Sequence, residues 1–147
     1  MIKIFQSNFE QYINEVEKFN INHDLNKYYN NLPDKIEDLN NLIIYGPPGS
    51  GKYSQSLYLL KKYSATSLKY EKKIYVKTSK DNISIFKISD IHFEIDFQLL
   101  GCNSKQLWHL FYEHILDIIS TKINKSGVIL CKNFHFISNE LLEIFYS

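Results

Sequence analysis

Arginine is missing from this 147-residue chain, in which all seventeen basic residues are lysine. An ammonium is a mobile point charge, whereas a guanidinium fork grips two phosphate oxygens in one plane. No residue here can therefore act as the arginine that completes phosphoryl transfer. That absence weighs against an enzyme that must clamp two phosphoryl groups by itself, such as a nucleotide kinase. Alanine occurs once, at Ala65. Cysteine occurs twice, at Cys102 and Cys131, too few for a disulfide framework and too far apart for a C-x-x-C pair. Reduced thiols in an intracellular protein are the simplest reading. No apolar run approaches the roughly 20 residues of a membrane helix. The N-terminal stretch MIKIFQSNFEQYINEVEKF is polar and periodic and has no secretory core. Repeats of solenoid length are absent. Sixteen acidic residues leave a net charge of +1, so no general attraction to nucleic acid follows from charge.

What is present is enough apolar matter for a core: 44% of residues are hydrophobic and 15% aromatic. One compact domain, or a piece of a larger protein, is the expectation. Lys, Asn, Ile, Tyr and Phe fill 72 of the 147 positions. Their codons are AT-rich, and the bias reads as a genome signature before it reads as function.

The spacing of Phe9, Ile13, Val16 and Phe19 predicts an amphipathic helix over 8–19. Residues 20–41 are polar and asparagine-rich, with Pro33 as a breaker, and read as a loop with at most one short helix. Leu42-Ile43-Ile44-Tyr45 predicts a short strand running into glycines. A helix follows from Lys52 to about Tyr63, burying Leu57, Leu60 and Tyr63. Lys73–Thr78 and Ile83–Ile88 alternate as strands, with Asp81-Asn82 as their turn. A third strand is expected at His92–Asp96. Ser104 is placed to cap a helix from Lys105 to about Ser120. Its buried face is marked by Leu107, Leu110, Phe111, His114, Ile115, Ile118 and Ile119. Val128-Ile129-Leu130-Cys131 has the character of a buried parallel strand. Ser138 opens a last helix holding Leu141, Leu142, Ile144 and Phe145. The chain stops inside that helical pattern, which suggests a fragment.

The strongest chemical signal is Gly46-Pro47-Pro48-Gly49-Ser50-Gly51-Lys52, which satisfies G-x-x-x-x-G-K between an expected strand and an expected helix. Glycines let successive N–H groups curl toward a phosphate. The helix start adds unpaired amides and the positive end of a dipole. Lys52 supplies a point charge for the β- and γ-phosphates. A Gly/Pro turn that merely joins strand to helix is the plain alternative. The next position should carry the Ser or Thr hydroxyl that ligates Mg²⁺. It is Tyr53, and Ser54 is one residue late, rotated by about 100°. At the second strand, Lys132-Asn133 follow Cys131 where a metal-holding Asp and a catalytic acid belong. Nucleotide contacts are thus expected at Gly46 through Ser54, with no catalytic residue and no metal ligand assigned. ATP is the expected ligand, with magnesium left open, and efficient hydrolysis is not expected.

At these residues the chain resembles the AAA+ module of a replication factor C small subunit, the sliding-clamp loader. The likeness rests on Leu42–Lys52, on Ile74–Asp96, on the His92–Ser104 segment with its following helix, and on Val128–Ser147. It covers about three quarters of the chain and is nearest to subunits with degenerate catalytic motifs. The resemblance implies an α/β P-loop NTPase fold of AAA+ type: a parallel sheet with flanking helices and a β-hairpin insert. It implies an N-terminal helix and polar loop over 1–41, then a core over 42–147 truncated before the sensor, lid and collar regions. It further implies partner AAA+ subunits in a hetero-oligomer, a sliding clamp, and primer-template DNA reached through the complex. The site would be intracellular, in a nucleus or viral replication compartment. Only Gly46, Gly49, Ser50, Gly51 and Lys52 match the family's nucleotide contacts. His135 stands where the family often has a second acid. No basic-proline element for the adenine is evident in residues 20–41.

Other constellations carry less. His109 and His114 flank an H-x-x-E-H-like pattern with one residue too many, which turns the two rings about 140° apart on a helix. Cys131 reads as a small core residue. Lys61-Lys62 and Lys72-Lys73 read as solvated edges before DNA contacts. Trp108 with Tyr112 reads as packing at i, i+4. Three functions stand: an ATP-binding, hydrolysis-impaired clamp-loader subunit, a scaffold derived from an AAA+ fold, and an active small P-loop enzyme.

Overall fold

A computed structural model describes residues 7–77 and 83–146. The Asp81-Asn82 turn and Thr78 lie outside the described residues. The chain divides into two compact units, one made of Met1–Glu71 with Ser89–Ile91 and one of Lys72–Ile88 with His92–Ser147.

The first unit is helical. Helix α1 spans Asn8–Lys18 and opens with a capping box. The Ser7 hydroxyl accepts from the Glu10 N–H at 3.2 Å, and the Glu10 carboxylate accepts from the Ser7 N–H at 3.2 Å. Two N–H groups that the first turn would leave orphaned are thereby satisfied. Helix α2 is a single short piece, Asn26–Asn30, and α3 runs Lys52–Lys61. α1 and α3 pack together and bury Phe9, Ile13 and Val16 with Leu57, Leu59 and Leu60. Phe19 does not join them; it ends α1 in extended backbone and is exposed. Lys61 pairs with Glu17 across the two helices. After α3 the chain turns through Ser67 and Leu68, both at positive φ. The Ser64 hydroxyl donates to the Asp90 carboxylate at 2.8 Å and accepts from the Leu68 N–H at 2.9 Å, holding that turn.

The second unit is an α/β layer. Strands β1 (Lys72–Lys77), β2 (Ile83–Ile88), β3 (His92–Asp96) and β4 (Val128–Lys132) form one sheet in the order β1-β2-β3-β4. β1 with β2 and β2 with β3 are antiparallel; only β3 with β4 is parallel. The expected β1–β2 hairpin and a parallel strand at Val128–Cys131 are both present, but the expected parallel sheet is corrected to a small mixed one, because the short connection from β2 returns β3 antiparallel whereas a parallel step needs a crossover. Helix α4, Ser104–Ser120, makes that crossover between β3 and β4, and α5, Asn139–Tyr146, follows.

The core lies between the sheet and α4. Phe93 and Ile95 of β3, Val76, Phe86 and Ile88 of the hairpin, and Leu107, Trp108, Phe111 and Ile115 of α4 are all buried, with Leu141 from α5. Phe86 stacks on Phe111 at 4.4 Å between ring centroids. β3 is buried on both faces, and its His92 Nε2 sits 3.3 Å from Glu94 Oε1 on the face opposite Phe93 and Ile95. His114 is exposed and leaves the apolar stripe expected for α4. Ser104 is not the cap of α4 but its first residue; its hydroxyl instead bonds that of Ser138 at 3.0 Å. Ser138 does cap α5, accepting from the Leu141 N–H at 3.3 Å. Among the described residues no helix is long and apolar enough to cross a membrane.

The strand expected at Leu42–Tyr45 is absent. That segment is irregular, and Ile43 and Tyr45 are 93% and 96% exposed. A strand is a pairing, not a property of one segment, and no strand among the described residues pairs with it.

Phe111→Ala removes a fully buried ring from the centre of the second unit. A loss of about 3–5 kcal/mol is expected, read as a fall in the denaturant midpoint; a loss under about 1 kcal/mol contradicts this packing.

Candidate functional site

Three of the chain's five glycines and two of its three prolines stand between residues 46 and 51. The consequence is a tightly folded loop. The Ser50 N–H donates to the Pro47 carbonyl at 3.3 Å across Pro47-Pro48-Gly49-Ser50. Gly49 has φ +75°, which a turn of this kind demands at its third residue and which proline suits at its second. Gly51 has φ +78° and is the N-cap of α3, with its carbonyl accepting the first helical bond from the Gln55 N–H at 2.9 Å. A Cβ on Gly46 would stand 2.9 Å from the Ser50 hydroxyl, so the two ends of the loop nearly touch.

Lys52 reaches back over this loop. Its ammonium donates to the Gly46 carbonyl at 2.8 Å and to the Pro47 carbonyl at 2.6 Å. Carbonyls at a sharp bend have no ladder partner, and the cation supplies one. The arrangement is a cradle of glycine-rich backbone at the start of a ten-residue helix, with a cation folded across its mouth. Such a start carries unpaired N–H groups and a partial positive charge, which favour an anion. The structure thus brings Gly46, Pro47, Pro48, Gly49, Ser50, Gly51 and Lys52 together.

Tyr53 belongs to another contact. Its ring meets Tyr12 of α1 edge to face, with centroids 4.8 Å apart, so it ties α3 to α1. Ser54 is half-buried on the next position of α3. Behind the loop stands a polar network that sequence reading missed. The Asn22 amide donates to the Ser50 carbonyl at 3.0 Å. Asn20 Oδ1 accepts from the Asn22 N–H at 2.9 Å and from the Gln55 amide at 2.7 Å. The Tyr29 hydroxyl donates to the other end of the Gln55 amide at 3.1 Å. Farther along, the Tyr63 hydroxyl and the Lys62 ammonium donate to the Pro33 and Leu32 carbonyls at 2.7 and 2.9 Å. The asparagine-rich stretch therefore forms 3-10 turns and the short helix α2 fastened to α3. Gln55 is buried on α3 together with Ser56, Leu57, Leu59 and Leu60, and the residue spacing alone does not mark it as the network's anchor.

In the second unit, β4 ends in Lys132, paired in register with Asp96. Asn133 follows at φ +51°, and its amide donates to the Asp96 carboxylate at 2.9 Å. Asp96 also accepts from the Gln98 N–H at 3.1 Å and so caps the turn after β3. Asn133 is thus a tie at the carboxyl edge of the sheet, and an amide has no basicity to lend. His135 is exposed beside Phe136. Cys131 lies on β4, where burial pushes its thiol up to about 12. His109 pairs with Glu113 at 3.3 Å on the exposed side of α4. Trp108 stacks with Tyr112 inside an aromatic group that includes Phe97, Phe134 and Phe145.

Two outcomes follow. Gly51→Ala places a Cβ in left-handed backbone and should cost about 1–2 kcal/mol, seen as a lower melting temperature; an unchanged midpoint contradicts the loop's φ. Cys131 should resist iodoacetamide at pH 8 while exposed Cys102 reacts, checked by mass spectrometry of the folded chain. Its raised pKa favours the neutral thiol in the fold, so the contribution to stability is whole below about pH 9 and is lost as pH rises toward 12. No protein-family model matches the chain, and no curated protein matches it.

Proposed function

We propose that the chain binds ATP at Gly46–Lys52 and serves as a hydrolysis-impaired, clamp-loader-like AAA+ subunit in DNA replication. The observation that carries the ATP reading is the folded cradle itself. Gly49 and Gly51 are at positive φ, α3 begins at its floor, and Lys52 lies within 2.8 Å of two loop carbonyls. That ammonium needs only to exchange carbonyl oxygens for phosphate oxygens. The clamp-loader assignment draws support from element order: the β1–β2 hairpin, then β3, the crossover α4, β4 and α5. Nucleotide binding would act by favouring one arrangement of subunit contacts over another. Partner subunits would supply hydrolysis, for which Lys132 and Asn133 offer no acid, and the arginine that this chain lacks. Contact with a sliding clamp and with primer-template DNA would come through that assembly.

The second reading is a scaffold module that no longer uses nucleotide. The same Lys52 contacts favour it, since two loop carbonyls already satisfy the ammonium without a phosphate. The third, an active small P-loop enzyme, is opposed by Tyr53 packed on Tyr12 where a metal-binding hydroxyl belongs.

Calorimetric titration separates these readings. The parent chain should bind ATP, and Lys52→Ala should weaken binding by about tenfold or more, the size of one lost charge-assisted contact. Phosphate release should not exceed that of the Lys52→Ala control. Absence of nucleotide affinity in the parent favours the scaffold; turnover above the control overturns the hydrolysis-impaired reading.

A further inference from the structure

We infer that Asn22 is a positioning residue for the phosphate loop, acting through one amide hydrogen bond that sets the direction of the Gly51 N–H. The inference rests on the phosphate-binding reading of that loop.

The Ser50 carbonyl and the Gly51 N–H belong to one peptide plane. The chain has no cis peptide bond among its described residues. In a trans peptide the C=O and the N–H point to opposite sides of the chain. The Asn22 amide donates to the Ser50 carbonyl at 3.0 Å. Holding that oxygen toward Asn22 therefore turns the Gly51 N–H away from Asn22. A glycine needs such a hold more than any other residue, because it has the greatest freedom to rotate. The Asn22 amide nitrogen also stands 3.7 Å from where a Gly51 Cβ would be, closing the side of the backbone that glycine leaves open.

Asn22 is itself held. Its N–H donates to Asn20 Oδ1, which also accepts from Gln55, and Gln55 in turn accepts from the Tyr29 hydroxyl. Gln55 is 3% exposed, so water competes little for these bonds. Gln55 also donates its own N–H to the Gly51 carbonyl. The path from Gly51 through Gln55, Asn20 and Asn22 to Ser50 is a closed ring of hydrogen bonds around the first turn of α3.

The two clasps on the loop then differ in kind. Lys52 holds Gly46 and Pro47 with a cation that a phosphate can take over. Asn22 holds Ser50 with a neutral amide donor, which a phosphate attracts far less than it attracts an ammonium. An incoming di- or triphosphate releases the first clasp and leaves the second. The ligand class is the phosphate chain of a nucleotide, and the nucleoside part gains nothing from Asn22.

The test uses the full chain with ATP by calorimetry and amide hydrogen exchange of residues 49–52 without ligand. Asn22→Ala should weaken ATP binding about tenfold, equivalent to about 1.4 kcal/mol, and should speed exchange at 49–52. Asn22→Asp keeps the shape but only accepts, so it should weaken ATP at least as much. Asn30→Ala, on the exposed side of α2, should match the parent in both readouts. If Asn22→Ala loses its melting transition, Asn22→Ser, too short to reach Ser50, replaces it. Parental ATP affinity with parental loop exchange in the Asn22 variants overturns the inference. A parent chain that binds no ATP defeats the nucleotide reading, and loop exchange alone then decides Asn22: faster exchange supports the positioning role, and unchanged exchange overturns it.

Discussion

The bend at residues 46–51 leaves the Gly46, Pro47 and Ser50 carbonyls outside any helix or sheet ladder, and each takes a side-chain donor from within the first unit. Lys52 meets Gly46 and Pro47, and Asn22 meets Ser50. Much of the first unit is organised by that demand. The segment of residues 20–34 lies along α3 and the turn after it, where Gln55, Lys62 and Tyr63 add further bonds. The same demand also defines the chemistry available: a cation and a set of helix-start amides face whatever displaces water from the cradle.

The second unit answers to a different constraint, the burial of aromatic and branched side chains. Phe86, Phe93, Ile95, Trp108 and Phe111 fill the space between sheet and α4. Full burial of each is worth roughly 1.5–3 kcal/mol. Polar side chains at the carboxyl edge, Asp96 and Asn133, serve one another and the turn after β3. Their mutual bond ties the end of β4 to the end of β3.

Much of the local structure was legible. The 3.6-residue apolar period placed α1, α3 and α4, and the two-residue alternation placed β1 and β2. β3 and β4 also stand where short apolar runs suggested them. Three features were not. The apolar run Leu42–Tyr45 looks like a strand and is an exposed irregular segment, since local pattern carries no information about a partner. Ser104 has a capping residue's chemistry but bonds Ser138, thirty-four positions away. The asparagines near residue 20 were indistinguishable from those that codon bias scatters elsewhere, and their role rests on Ser50 and Gln55, about thirty residues on.

The sequence by itself determined the glycine positions of the loop, the lysine that follows them, the lack of a short Ser or Thr hydroxyl at position 53, and the absence of arginine. These are matters of covalent identity and of conformations only glycine adopts readily. Tertiary structure alone decided that β2 pairs antiparallel with β3, that no strand among the described residues pairs with Leu42–Tyr45, that Tyr53 packs on Tyr12, and that Asn22 braces Ser50. Each of those depends on which distant segment arrives with a complementary surface or an unpaired donor, and residue spacing along a chain does not encode that meeting.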